Sequence, residues 1–176
     1  TGLACLPGTH AKWASLEAGA VSGFSTYLTG ELYQLLANQS VLKHSVLSPS
    51  AASNGLNDAA CREAFISAVS EIHQAPETFS SRLFGLRAQD LLDGRLPAGD
   101  TRGAVLAARL SGLAIGLELA GACRECPSDK PITLIGNQTL SQRYTLALNA
   151  MGYQTQHVDG DTAVLAGLRL AHHALK

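Results

Sequence analysis

Leu6-Pro7-Gly8-Thr9-His10-Ala11-Lys12-Trp13 is the stretch on which the reading of this chain turns. It lies between two short segments, residues 3–7 and 12–17, whose apolar content reads as β-strand. A Pro-Gly turn followed by small residues lets backbone N–H groups approach an anion, and Lys12 sets a positive charge beside them. Those are the requirements of a phosphate-binding hairpin built on Gly8, Thr9, His10 and Lys12. The stretch is not a Walker A loop: the GxxxxGK[ST] spacing is missing, and the residues after the turn read as strand rather than helix. On residue chemistry alone, an ordinary hairpin with a polar tip is the plainer reading.

Outward from the hairpin, Ala18-Gly19 turns the chain into a third strand over residues 20–27, which makes a three-stranded meander. A helix comes next, with Thr29 as its expected N-cap, Glu31 in its first turn and Leu32, Leu35 and Leu36 at helical spacing. Residues 44–56 carry no period and read as a surface loop. Asn57 or Asp58 caps a helix that carries Ala64, Phe65, Ala68, Val69 and Ile72. After Pro76, a further helix with Phe79, Leu83, Leu86 and Leu91 ends at Gly94. Asp100 or Thr101 opens the longest helix, which runs to about Cys123. Its Gly112, Gly116 and Ala120 are spaced by four, so one face admits close approach of another backbone or of a flat ligand. Helix packing is the commoner use of such a stripe.

After a second loop at 124–131, residues 132–135 read as a buried strand that ends at Gly136-Asn137. A helix from about 140 to 151, a strand over 154–158 and a last helix over 162–174 complete the chain. A strand–helix–strand–helix tail implies parallel strands. The fold class expected is therefore α/β, with a β-meander plus parallel strands and helices on both faces.

The chain has 176 residues, with 46% hydrophobic, 15% charged and only 5% aromatic residues. That is apolar enough to fold around Leu, Ala, Val and Ile, and too poor in charge for disorder. The net charge is −1 and the isoelectric point is about 6.5. Neither a basic patch for nucleic acid nor a basic amphipathic stretch for a membrane surface is evident. The most apolar run, 104–123, is interrupted by Arg109 and Glu118 and is not read as membrane-spanning. No basic region precedes an apolar run near the start, so no signal peptide is read there. The chain lacks an initial Met and opens almost directly into a strand, which reads as a fragment or an excised domain.

A second chemical candidate is the Gly136-Asn137 turn. The C-terminal edge of a parallel strand is a usual ligand position, where Gly136 leaves room and Asn137 offers both a donor and an acceptor. Asp159 and Asp161 read better as turn and N-cap residues than as metal ligands. Of the histidines, His44 and His73 read as solvated. His157, His172 and His173 have no Glu or Cys at metal-ligand spacing, so no metal site is expected. Cys5 and Cys61 read as core residues. Cys123 and Cys126 form a C-x-x-C that lacks both a second ligand pair and a thioredoxin context. The set fits a reducing compartment.

Taken together, ACLPGTHAKW, FSTYLTGELYQLL, LSGLAIGLEL and TLIGNQTLSQRYTLALNAMGY with VDGDTAVLAGL resemble the 2-dehydro-3-deoxygalactonokinases, sugar-acid kinases of the actin-like ATPase superfamily. The resemblance runs from about Ala4 to the C-terminus. It implies two lobes, each with a ribonuclease-H-like core, and ATP held in the cleft between them. The first lobe of such kinases carries an Asp-x-Gly-Thr hairpin, which is absent here. Residues 1–176 are thus expected to be the C-terminal, nucleotide-binding lobe, with a helical insertion over about 41–125. The resemblance implies phosphate binding by Gly8, Thr9, His10 and Lys12. It places the nucleotide at Gly136 and Asn137, with Gly112 and Gly116 backing the pocket, and Thr29 and Glu31 towards the cleft. The implied cofactors are ATP and Mg2+, the partners a sugar acid and the N-terminal lobe, and the location cytoplasmic. A homodimer is one arrangement it allows. The implied reaction is ATP-dependent phosphorylation of 2-dehydro-3-deoxy-D-galactonate to its 6-phosphate, with the catalytic base on the other lobe. The competing readings are a non-catalytic nucleotide- or metabolite-binding lobe, a kinase for another sugar acid, and a thiol protein using Cys123 and Cys126.

Overall fold

The computed structural model describes residues 2–46, 55–124 and 130–175. The chain divides into two compact units: Thr1–Tyr27 with Cys126–Lys176, and Leu28–Glu125. The first carries all the described strands and the second is helical. The helical unit therefore begins before the first helix, at Leu28, earlier than the expected boundary near residue 41.

In the first unit, β1 (Gly2–Leu6), β2 (Ala11–Glu17) and β3 (Ala20–Tyr27) form the meander. Ala18 and Gly19 both adopt left-handed backbone, with φ of 48° and 81°. Two such residues give the tight turn whose twist suits adjacent antiparallel strands. β2 alternates in burial: Ala11 and Trp13 point inward while Lys12 between them is exposed. That period of two is what puts the lysine on the opposite face from the tryptophan.

β4 (Ile132–Gly136) and β5 (Thr155–Asp159) complete a five-stranded mixed sheet in the order β3-β2-β1-β4-β5. β4 runs parallel to β1, pairing Leu3 with Ile132 and Cys5 with Leu134. β5 runs parallel to β4 in turn, pairing Gly136 with Asp159. The meander followed by two parallel strands is the mixed α/β arrangement expected. The helix α5 (Gln138–Ala150) packs on β4 and β5 and buries Tyr144, Ala147 and Leu148. Asn137 caps it by accepting from Leu140 N at 2.9 Å. Asp159 likewise caps α6 (Gly160–Ala174), accepting from Thr162 N at 3.0 Å. The hydrogen bonds from the Thr162 backbone and hydroxyl hold the Asp159 carboxyl below the usual range. This is the capping role read from the sequence.

The helical unit holds α1 (Thr29–Gln39), α2 (Ala59–Gln74), α3 (Phe79–Leu92) and α4 (Asp100–Ala122). Thr29 is not the N-cap of α1. The helix begins immediately after β3, so Leu28 takes the cap position without a side-chain bond and Thr29 is its buried first residue. Asp58 does cap α2, accepting from Cys61 N at 3.1 Å. Burial, with Asp58 beside it, pushes the Cys61 thiol up. The expected 44–56 loop is bordered by two 3-10 turns, Val41–His44 and Gly55–Asn57, which overlap its two ends; residues 47–54 lie outside the described residues.

By length and composition α4 could cross a membrane, yet most of its apolar window is buried inside the structure, as in a core helix. Its main partner is α2. A Cβ added at Gly112 would stand 2.4 Å from the Phe65 carbonyl oxygen and 2.9 Å from Ala68 Cβ. One at Gly116 would stand 2.9 Å from the Val69 carbonyl oxygen. The small-residue stripe is therefore filled by α2. This corrects the expectation that Gly112 and Gly116 back a nucleotide pocket: the face they open is already occupied by a helix backbone. Ion pairs join the helices around this core, with Glu71 on α2 binding Arg82 of α3 at 2.7 Å and Arg109 of α4 at 2.6 Å.

Candidate functional site

Parallel pairing of β1, β4 and β5 brings three strand ends to one edge of the sheet. At that edge the chain leaves β1 into the Pro7–His10 turn, β4 into α5, and β5 into α6. The C-terminal edge of parallel strands is where backbone turns and helix starts can face a ligand. The hairpin and the Gly136 turn, far apart in the sequence, are side by side. A Cβ on Gly136 would lie 3.8 Å from the Pro7 carbonyl oxygen and 3.9 Å from Pro7 Cδ. Gly136 has ordinary backbone, not left-handed φ. Its lack of a side chain is thus not required by conformation, and keeps open the space beside Pro7.

On the hairpin, Lys12 Nζ donates to the His10 carbonyl oxygen at 3.0 Å, which braces the turn and holds the ammonium beside its tip. Thr9, His10 and Lys12 are exposed, and Gly8 is half-buried. A Cβ on Gly8 would meet only the His10 carbonyl oxygen, at 3.9 Å. The hairpin therefore offers backbone donors, a hydroxyl, an imidazole and one cation on an accessible turn. That set can bind an anion.

Across from it, Asn137 spends its side-chain oxygen on capping α5. The start of α5 adds the partial positive charge of a helix N-terminus. Within this first stretch of helix stands Ser141, buried, whose Oγ has no hydrogen-bond partner. It lies 4.0 Å from the Cβ position of Gly136. An unsatisfied buried hydroxyl costs about 1–3 kcal/mol, so a polar partner from a ligand would be favourable here. Sequence reading missed Ser141. Its signal was position: it is four residues after Asn137, so it returns to the same side of the first turn.

Two more residues shape the edge. His157 Nε2 is 3.0 Å from the Gly136 carbonyl oxygen, which fixes that peptide's orientation. Gly160 faces Gly136 so closely that a Cβ on it would be 3.4 Å from Gly136 Cα. The structure thus brings together Gly8, Thr9, His10, Lys12, Gly136 and Asn137, all from one unit. Thr29 and Glu31 lie on α1 and Gly112 and Gly116 on α4, in the helical unit.

Among the described residues, no three His, Cys, Asp or Glu side chains are grouped to hold a metal ion. Cys123 is buried, and Cys126 lies outside the described residues.

Known proteins share this architecture. The family profile for 2-keto-3-deoxy-galactonokinase matches residues 1–171. A protein of Rhizobium meliloti (strain 1021), named a probable 2-dehydro-3-deoxygalactonokinase, is 39% identical over 173 residues, 98% of this chain and 53% of its own length. The 2-dehydro-3-deoxygalactonokinase of Escherichia coli (strain K12) is 34% identical over 170 residues, again 53% of its length. A crystal structure assigned to a 2-dehydro-3-deoxygalactonokinase protein of Sinorhizobium meliloti superposes with a TM-score of 0.84 at 38% identity, covering 99% of this chain and 54% of that one. The chain spans about half the length of the curated relatives it matches. The chain belongs to the 2-keto-3-deoxy-galactonokinase family.

Proposed function

We propose that residues 1–176 form the nucleotide-binding lobe of a sugar-acid kinase that phosphorylates 2-dehydro-3-deoxy-D-galactonate with ATP in D-galactonate breakdown. The observation that carries this reading is the juxtaposition of Pro7 and Gly136 at the C-terminal strand edge, in a chain of this family. In this reading the Gly8–His10 backbone and Lys12 hold the phosphates, and Gly136 and Asn137 border the adenosine. Ser141 supplies its unpaired hydroxyl to the nucleotide. Thr29 and Glu31 serve the cleft side.

The acceptor's terminal hydroxyl oxygen forms the new bond to the γ-phosphorus as the bond to the β-bridging oxygen breaks. ADP leaves, and the hydroxyl proton passes to a base that this chain does not supply. The protein's part is positioning and charge stabilisation of the transferring group. Mg2+ would come with the ATP phosphates rather than in a cage of this chain's side chains. The second lobe would be the rest of the same polypeptide, about half the relatives' length. The enzyme would work in the cytoplasm.

The direct test uses the full-length protein with ATP and the sugar acid. ADP should appear only when acceptor is present, with a phosphate ester on the terminal hydroxyl detected by phosphorus NMR. Residues 1–176 alone should give no turnover. ATP binding without acceptor-dependent ADP would instead make this a non-catalytic binding lobe, and preference for another sugar acid would move the substrate.

Gly136→Ala probes the nucleotide contact separately. Every neighbour of the new methyl is at ordinary contact distance, so the fold should tolerate it, with melting unchanged or slightly raised. The KM for ATP should rise about tenfold, equivalent to about 1.4 kcal/mol of lost binding. An unaltered KM would remove Gly136 from the nucleotide site.

A further inference from the structure

Gly136 joins β4 to α5, and it has little of its own to hold it in place. Without a Cβ, glycine restricts ψ less than any other residue. The ψ of Gly136 sets the plane of the peptide that leads into α5. Neighbours do not wedge that peptide on the side where a Cβ would stand. The nearest atoms there are the Pro7 carbonyl oxygen at 3.8 Å, Pro7 Cδ at 3.9 Å and Ser141 Oγ at 4.0 Å. From the helix side, Asn137 is held by its side-chain cap on Leu140 N. From the strand side, the Gly136 carbonyl oxygen meets His157 Nε2 at 3.0 Å. His157 stands on β5 opposite Leu134, so its ring reaches forward along the sheet. A carbonyl oxygen only accepts, so Nε2 carries the proton and donates.

We propose that His157 is a positioning residue for nucleotide binding. By holding the Gly136 carbonyl, it turns the Asn137 N–H away from β5 and towards the hairpin side of the edge. The inference deepens the kinase reading and rests on it for the identity of the ligand. The peptide is trans, so its C=O and N–H point in opposite directions. β4 lies between β5 and β1 in the sheet. An N–H turned away from β5 is therefore turned towards β1, whose end carries the Pro7–His10 turn. That N–H belongs to the cap residue of α5, where the helix start already favours an electron-rich group of the ligand. The buried, unpaired Ser141 hydroxyl borders the same space. The His157 side chain itself is exposed, and an exposed side chain away from special backbone contributes little to stability. Its bond to Gly136 is thus worth more to the turn than to the core.

Matched substitutions in the full-length protein test the proposal. ATP affinity is read by titration calorimetry, and turnover is read as acceptor-dependent ADP. His157→Leu removes the donor and keeps an exposed side chain. It should weaken ATP binding about three- to tenfold, the size expected of one hydrogen bond. The kcat and the KM for the sugar acid should stay within about twofold, and melting should be nearly unchanged. His157→Gln places an amide N–H at a similar reach and should restore ATP affinity to within about twofold of wild type. Gln156→Leu is the control for simple bracing of β5 on β4. Gln156 Nε2 donates to Thr133 Oγ1 at 2.6 Å, one residue earlier and so on the opposite face of the sheet. Its loss should leave ATP affinity unaltered.

Wild-type affinity in His157→Leu would overturn the positioning role. Equal losses in His157→Leu and His157→Gln, or in His157→Leu and Gln156→Leu, would overturn it as well. Because binding is read apart from turnover, the two readings can fail separately. A wild-type protein that binds ATP without phosphorylating the acceptor overturns the kinase reading alone, and the variants still decide for His157. A wild-type protein that binds no ATP overturns both.

Discussion

Lys12→Ala in the full-length protein is expected to lower kcat by about 100- to 1,000-fold while the affinity for ATP changes far less. Lys12 is exposed and its ammonium reaches the His10 carbonyl oxygen at the tip of the hairpin. A fixed cation beside a transferring phosphoryl group acts chiefly on charge that develops in the transition state. Removing one such preorganised donor from an active site costs about 2.7–4 kcal/mol in the barrier. The fold should be indifferent, since an exposed side chain away from special backbone changes stability by about 0.5 kcal/mol at most. Melting temperature and steady-state kinetics, measured on the same preparation, check both halves. An equal loss in kcat/KM and ATP affinity with kcat intact would mean that Lys12 binds the ground state only. Full activity would remove the hairpin from the phosphate site.

Gly112→Val should be the most damaging substitution in the helical unit. The first added carbon would already sit 2.4 Å from a backbone oxygen of α2, and backbone cannot swing aside as a side chain can. Overpacking a well-filled core costs about 1–3 kcal/mol, and contact with a main-chain atom belongs at the top of that range. A loss of about 3 kcal/mol corresponds to a fall in melting temperature of roughly 12–24 °C for a unit of about 100 residues such as Leu28–Glu125. Gly85→Val in α3 is the matched control, because a Cβ there meets nothing within 4 Å. Similar melting of both variants would show that the α2–α4 contact does not limit stability.

The elements of this fold were largely legible, and their neighbours were not. Alternation around Trp13 and the Ala18-Gly19 turn marked the meander, and helical spacing of Phe65, Ala68, Val69 and Ile72 marked α2. The Thr29 cap failed because the one residue between β3 and the helix, Leu28, takes the cap position, which makes Thr29 the first helical residue. The glycine stripe on α4 could be seen, but whether a helix or a ligand fills it depends on which element lies opposite. The same limit applied to the site. Gly8–Lys12 and Gly136–Asn137 could each be picked out locally. Their adjacency depends on β4 pairing with β1, a contact across most of the chain that no local pattern encodes. Ser141 was invisible for a related reason: a serine in a helix matters only once its hydroxyl is found buried and unpaired.

That pairing has a consequence for biogenesis. β1 is made before the helical unit, and the strand that covers its open edge is made only after it. At ribosomal rates of about 5–20 residues per second, the interval is roughly 6–25 s. Through that time the nascent meander presents an unpaired strand edge, a template for pairing with other chains. The α2–α4 unit can reach its own compact state in the interval, since its contacts are nearer in sequence. The strand edge that carries Pro7 and Gly136, by contrast, comes into being only when the C-terminal strands arrive. Synthesis that stops short of β4 would thus release a folded helical unit joined to a sticky half-sheet, a substrate for quality control.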